Sequence, residues 1–432
     1  MAATCLYYNA ESHVIAFEYP VSNLESQSLS YTNTTDTERT MSLREITSPD
    51  EIRDTRSFSH LEWGAFLSID DYNHREEIVL GHTPMCKNRL KSWGLYIEDG
   101  TRVAACETLE RPALVQCKDG KIKSTSTFSI GAVFTPKEHR GKGYASVMMK
   151  QMASGIPFKP TLTDADIIKA TGVSDVDQTL RVTPLWSDVG TFYEKFGWIG
   201  TTDLQYVFEV DGSASQNGVN GTPNGTNGTN GVNGHTNGTN GHSSAVKYLS
   251  EEDVYRLADV EASSFASDFE KFPFKGSYKC GIVPDRTVYE WHLARAKFLA
   301  KFAKVPEPKV FGAQIGDSWM AWHHMYNARE LVILRAKLAK AEDLVELIAA
   351  AKKHLCKDGF SDQINKIILW EQEREWNHIV DGLSYDAIDQ AIEKSQGKRE
   401  HRGSSIPAVM FVEYKLQKDA MEFVDHGKLT WC

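Results

Sequence analysis

The sequence predicts an α+β protein built as two mixed domains of helices and mostly antiparallel strands, and three observations carry that prediction. The chain has 432 residues, 41% of them hydrophobic and 10% aromatic, which is enough apolar material for more than one core. A tract of Asn, Gly, Thr and Ser between residues 211 and 244 divides it, with Asn-Gly recurring from Asn217 to Asn240. On each side of that tract, short β-rich runs alternate with amphipathic helical periods, separated by turn dipeptides such as Asp99-Gly100 and Asp119-Gly120. These signals divide the chain into a poorly ordered leader (1–41), a first domain (42–211), a flexible linker (212–245) and a second domain (246–432).

Each element has its own signal. Residues 1–40 are rich in Ser, Thr and Asn and sustain no period. Ser42–Thr47 reads as a short strand, Pro49–His60 as a helix begun at Ser48, and Trp63–Val79 as a second helix. Strand-like runs follow at Ser92–Glu98, Arg102–Leu109 and Leu114–Lys118. Ser124–Phe134 is a further strand, closed by Thr135-Pro136 and followed by a glycine-rich loop and a helix to about Ser154. After an insertion (Ile156–Asp177), Thr179–Trp186 reads as a strand. Val189–Phe196 reads as a short helix capped by Gly197, and Leu204–Val210 as the last strand of the first domain. The linker cannot bury enough apolar surface to offset its ordering entropy. Four of its sites read Asn-Gly-Thr, a glycosylation acceptor pattern, but no export signal precedes them, so they are taken as linker residues only.

Beyond the linker, acidic residues 251–253 after Ser250 mark a helix start, and Thr287–Phe302 is another helix. Val310–Gly316, Ser318–His324 and Glu330–Ala336 read as consecutive strands. Ala341–His354 is an amphipathic helix, and Lys366–Trp370 and Pro407–Tyr414 are late strands.

Composition excludes some functions. The formal charge is −10, from 58 acidic and 48 basic residues, which disfavours a protein that must neutralise phosphates along a nucleic acid. The apolar runs are too short for a membrane span. The seven cysteines are scattered and never form CxxC, which points to reduced thiols, no structural zinc and a cytoplasmic setting.

The chemistry is concentrated in one segment. Arg140-Gly141-Lys142-Gly143-Tyr144-Ala145 follows a strand and opens a helix, where unpaired backbone N–H groups and the helix dipole favour a diphosphate. Glycine lets the backbone close on it. The loop is not a Walker motif, because no Gly-Lys-Ser/Thr ends it, and it is not a dinucleotide fingerprint.

With Val133-Phe134-Thr135-Pro136 before it and Phe192-Tyr193-Glu194-Lys195-Phe196-Gly197-Trp198 after it, this loop resembles the GNAT superfamily of acyl-CoA-dependent N-acyltransferases. Glu62-Trp63-Gly64, Leu185–Gly190, Ser404-Ser405-Ile406-Pro407 and Trp431-Cys432 narrow the resemblance to the fungal lysine N-acetyltransferase family. The resemblance implies a GNAT fold in the first half, a mostly antiparallel sheet flanked by helices. It implies a degenerate GNAT-like domain without its own pyrophosphate loop in the second half, on the substrate side. It also implies acetyl-CoA as cosubstrate, no metal, and a small amine acceptor such as lysine, a related amino acid or a specialised-metabolite intermediate. A non-catalytic acyl-CoA-binding protein and a protein N-acetyltransferase are the competing readings.

In this reading Arg140, Gly141, Lys142, Gly143, Tyr144 and Ala145 hold the diphosphate. Edge backbone groups of Val133, Phe134 and Thr135 pair with the pantetheine arm, and one of their N–H groups polarises the thioester. Tyr193 matches the family's proton donor. An acceptor amine with a pKa near ~10.4 must lose a proton. Glu107 and Asp188 are the carboxylates placed to take it, although Asp188 can equally cap the following helix and a water chain can serve instead. His323, His324 and Cys106 lack partners at metal or triad spacing and are expected to be structural. Trp319, Trp322 and Tyr326 are expected to pack a domain interface or close the cleft.

Overall fold

The computed structural model describes residues 4–8, 14–18, 41–155, 157–210, 245–274, 278–412 and 421–431. Residues 1–41 and 42–432 are two compact units. Within the first, β1 (Thr4–Tyr8) and β2 (Val14–Glu18) pair as an antiparallel hairpin. The rest of the leader, and the linker at 211–244, lie outside the described residues.

The second unit opens with β3 (Ser42–Ile46) and α1 (Pro49–Trp63). Pro49 and the acids Asp50 and Glu51 in its first turn suit a helix N-terminus. The expected helix at Trp63–Val79 is instead broken. The chain leaves α1 at Gly64 and re-enters at α2 (Ile69–His74), because the Ser68 hydroxyl caps the Asp71 N–H. A π-helical turn, Arg75–Leu80, continues α2.

Strands β4 (Leu90–Tyr96), β5 (Arg102–Gln116) and β6 (Ile122–Phe134) form a meander. The sequence suggests two strands where β5 runs unbroken through Glu110-Arg111-Pro112. These charges stay buried because each has partners: the Ser126 hydroxyl and the Thr161 and Leu162 amides donate to Glu110, and Arg111 donates to Ser129 Oγ at 2.6 Å.

Next come α3 (Tyr144–Met152) and α4 (Asp164–Thr171), which lies in the long insertion and starts with a Thr163–Asp166 capping box. β7 (Val182–Ser187), a 3-10 helix at Gly190–Phe196, β8 (Ile199–Gly200) and β9 (Leu204–Glu209) follow. After the linker come β10 (Lys247–Leu249), α5 (Glu251–Lys271), β11 (Tyr278–Ile282) and α6 (Arg286–Ala300). β12 (Gly312–Ile315), β13 (Ser318–Met325) and β14 (Glu330–Lys337) form a second meander, followed by α7 (Asp343–Lys357), β15 (Lys366–Trp370), α8 (Glu371–Ile379) and α9 (Tyr385–Lys394). β16 (Lys398–His401), β17 (Ile406–Phe411), β18 (Met421–Phe423) and a 3-10 turn at Lys428–Thr430 complete the chain.

Two large, mostly antiparallel sheets result. One runs β18-β11-β5-β6-β7-β17-β8 with β4 and β3 added at β5, and the other runs β10-β12-β13-β14-β15-β9-β16. This is an α+β architecture, but the sheets do not respect the division at the linker. β9 does not finish the first sheet as expected: it lies between β15 and β16 in the second. Tyr206, Val207 and Phe208 are consecutive and all buried, so both faces of β9 need cover, which a central position supplies. In exchange, β17 pairs with β7 in the first sheet, from Ile406↔Ser187 to Phe411↔Val182.

The cores follow this exchange. One cluster joins Leu67 and Tyr72 to Tyr206, Trp322, Ile333 and Leu347, and another joins Leu80, Met85 and Leu109 to Trp319, Leu334 and Leu429. Trp319, Trp322 and Tyr326 are core residues of these clusters. Each such side chain contributes roughly 1.5–3 kcal/mol on burial, so the contacts between the halves are a substantial part of the stability. Among the described residues no helix is long and apolar enough to cross a membrane.

Candidate active site

The parallel pairing of β6 with β7 is short. It holds at Thr127↔Val182 and Ile130↔Leu185 and goes no further, while β7 continues to Ser187 against β17. Residues 131–134 of β6 stay joined to β5 through a bulge: Glu107 faces Gly131, yet Ala105 faces Phe134, and Ala132 has φ 48°. The two strands therefore splay apart at Val133-Phe134-Thr135, and among the described residues the β7-facing edge of β6 has no strand partner there. An extended chain can pair with such an edge by main-chain hydrogen bonds.

The glycine loop lies directly beyond. Gly141 and Gly143 have φ of +77° and +81°, and a Cβ built on either meets nothing within 4 Å. Glycine is thus required by the backbone, while the space around it is open. Gly143 is the N-cap of α3 and supplies no side chain; the first intrahelical bond is Val147 N–H to Gly143 O at 3.1 Å. The N–H groups of Tyr144, Ala145 and Ser146 consequently have no intrahelical acceptor, and no acidic side chain occupies the first turn. Arg140 is strung across the loop, donating to Thr135 O at 2.9 Å and pairing with Glu62 at 3.0 Å. Lys142 is exposed. Lys195, which the sequence reading did not single out, donates to Ser146 Oγ at 3.2 Å and lies over the Phe192 and Phe196 rings, adding a cation at the same helix entrance. The donor set fits a diphosphate: open N–H groups, a helix dipole and three cationic side chains.

Tyr193 projects inward from the 3-10 helix and is 8% exposed, edge-on to Phe192 and Trp198. Burial raises its phenol above the ordinary value, and charge on Cys106 or Asp188 would act in the same direction, so the hydroxyl keeps its proton at neutral pH. Cys106 and Glu107 are neighbours on β5 and project to opposite faces of the sheet.

Tyr193 interacts with the Cys106 side, whereas Glu107 lies on the side of α1, where it accepts from Ser92 Oγ at 3.3 Å and has Arg56 Nε at 3.9 Å. Burial raises the Glu107 carboxyl; Arg56 opposes that shift and Glu76 adds to it. Arg56 and Ser92 have no sequence signal of their own; only the pairing of β4 with β5 and the packing of α1 bring them to Glu107. Asp188 is exposed and accepts from the Ser405 amide at 2.8 Å. It ties the end of β7 to the loop before β17 and does not cap the short helix, whose N-cap is Val189.

His323 and His324 are buried and diverge. His323 meets the His292 ring at 4.9 Å, while His324 meets His354 at 3.0 Å through their Nε2 atoms. Among the described residues no group of His, Cys, Asp and Glu is arranged to hold a metal.

Residues 233–432 match the sequence profile of the LYC1 GNAT-like C-terminal domain. An uncharacterized protein of Saccharomyces cerevisiae, YGR111W, is 25% identical over 249 residues, 54% of this chain and 53% of the yeast protein. The chain thus spans about half the length of the curated relative it matches. Among solved structures, a GCN5-related N-acetyltransferase from Anabaena variabilis is similar at 12% identity and a TM-score of 0.45, over 86% of this chain and 73% of the other. A probable N-acyltransferase from Enterococcus faecalis gives 14% and 0.43, over 87% and 73%. The part of the chain after the linker thus matches a GNAT-like domain, and the splayed strands, glycine loop and helix entrance lie in the other half.

Proposed function

We propose that the protein is an acetyl-CoA-dependent N-acetyltransferase that acetylates the amine of a small molecule, lysine or a related amino acid or amine, by direct attack in a ternary complex. The observation that carries this reading is the alignment of the β6/β7 splay with the entrance of α3. A coenzyme whose diphosphate lies on the α3 amides can lay its extended arm along Val133–Thr135, with its thioester inside the splay.

Each residue then has one task. Main-chain N–H groups of the β6 edge hydrogen-bond the thioester carbonyl as it gains charge. Glu107 takes the proton from the attacking ammonium, directly or through water; its raised carboxyl makes it a stronger base than an exposed glutamate. The nitrogen forms the new bond to the acyl carbon, the carbon–sulfur bond breaks, Tyr193 gives its proton to the thiolate, and the second proton lost by the acylated nitrogen restores the phenol through water. The base and the acid act from opposite faces of β5. Asp188 holds the loop at Ser405 in this scheme through its Oδ1.

The test is a mass-spectrometric assay of acetyl-CoA against a panel of small amines and a lysine-bearing peptide. Free thiol with one acetylated small amine supports the proposal. Acetylation of the peptide alone would make it a protein acetyltransferase, and tight coenzyme binding without turnover would make it a sensor.

A further inference from the structure

The 3-10 turn at Lys428–Thr430 carries a buried lysine with no direct counter-ion. Lys428 is 3% exposed, and among the described residues its ammonium makes no ion pair or side-chain hydrogen bond. Instead it sits 3.4 Å above the Trp431 ring and 5.5 Å from that of Trp370. The same two indoles collect further cations: Arg295 lies 5.6 Å over Trp431, and Arg402 lies 3.7 Å over Trp370. Beside them His292 and His323 are buried, with both His323 nitrogens and His292 Nδ1 lacking hydrogen-bond partners. Burial and the neighbouring cations keep both rings neutral.

The acidic groups that face this set are committed elsewhere or stand off. Asp188 holds Ser405, Asp203 holds His401, Glu76 holds Arg75, and Glu330 acts on Lys428 only at a distance. Burial, with Arg295 and Arg402 beside it, lowers the Lys428 ammonium to about 7, and an anion bound there would restore its charge.

This basic pole borders the acyl-transfer site. Trp186, on the strand that opens the splay, packs, as Trp431 does, against the cluster that holds Trp370, and Asp188 acts electrostatically on both Lys428 and Tyr193. We propose that Lys428, flanked by Arg295, receives the carboxylate of the acceptor, so that the substrates are amino acids and a bare amine is a poor substitute. This inference rests on the acyl-transfer reading and names the residue that would select among its acceptors. One ammonium matches one singly charged carboxylate.

The experiment compares L-lysine, its decarboxylated form cadaverine and an amine bearing a phosphate, with wild type, Lys428→Met and Lys428→Arg. The expected result is kcat/KM for L-lysine at least about tenfold above cadaverine in wild type, a difference of about 1.4 kcal/mol. Lys428→Met should raise the KM for L-lysine about tenfold and leave cadaverine and the KM for acetyl-CoA unchanged; Lys428→Arg should recover part of the loss. L-lysine, but not cadaverine, should raise the melting temperature of the wild type, a readout independent of turnover. Lys428→Met should melt no lower than wild type, since it replaces a buried amine without a hydrogen-bond partner by an apolar chain of similar length. Equal use of L-lysine and cadaverine, equal loss on both in Lys428→Met, or preference for the phosphate would overturn the inference. Failure to acetylate any amine would instead overturn the acyl-transfer reading beneath it.

Discussion

Replacing Gly143 by alanine separates two roles of one glycine. At φ +81° an L-residue occupies the left-handed region at a penalty of about 1–2 kcal/mol. Gly100, in the turn between β4 and β5, has φ +86° and equally empty surroundings, so Gly100→Ala carries nearly the same backbone penalty far from the α3 entrance. The two variants should lose similar stability in urea melts, about 1–2 kcal/mol each. Their coenzyme affinities should differ. In the proposed reading the diphosphate meets the α3 amides beyond Gly143, and a methyl group there would displace it from short N–H contacts. Titration calorimetry should show CoA and acetyl-CoA bound at least about tenfold more weakly by Gly143→Ala, or ~1.4 kcal/mol, and unchanged by Gly100→Ala. Equal coenzyme affinity in the two variants, despite equal destabilisation, would refute the loop assignment.

Further outcomes are expected. Tyr193→Phe should lower kcat by about a hundredfold, within the usual range for a lost general acid, and leave the KM for acetyl-CoA unchanged; steady-state kinetics decide this. With Glu107 as base, kcat/KM should rise with pH through a limb above the ordinary glutamate range, because burial raises its carboxyl; Glu107→Gln should abolish that limb. Stability should respond to pH through a different cluster, where fully buried Arg335 faces Glu261, Glu373 and Asp425. Three carboxylates share one guanidinium, and burial raises Glu373 to about 8 and Asp425 to about 7. These groups bind more protons folded than unfolded, so their contribution is complete below the ordinary carboxylate pKa and fades as pH rises toward 7–8. Glu373→Gln should flatten that decline in urea melts run from pH 5 to 8.

How far the site could be read in advance depended on the range of the interactions involved. The glycine loop and the Phe192–Trp198 segment are contiguous, and their conformations, left-handed at Gly141, Gly143 and Gly197, are set by neighbouring residues. Ser48 and Ser250 announce their helices for the same reason. By contrast, the unbroken β5 was hidden by Glu110 and Arg111, which read as solvent-facing charges until Ser126, Ser129 and the Thr161 amide are brought to them. The break between α1 and α2 was hidden because the apolar period runs across Ser68.

By itself the sequence determined the fold class and the strand–loop–helix unit with its left-handed glycines, because caps, turn glycines and hydrophobic periods act over a few residues. Only the tertiary structure decided that β9 and β17 exchange sheets, that Arg56 and Ser92 attend Glu107, and that Lys428 joins Arg295 and Arg402 on two tryptophans. Those arrangements join different elements, from Ser92 and Glu107 on paired strands to Ile406 and Ser187 on either side of the linker. They follow from the burial of both faces of a strand and from where closed sheets leave charge uncovered, which no local pattern records.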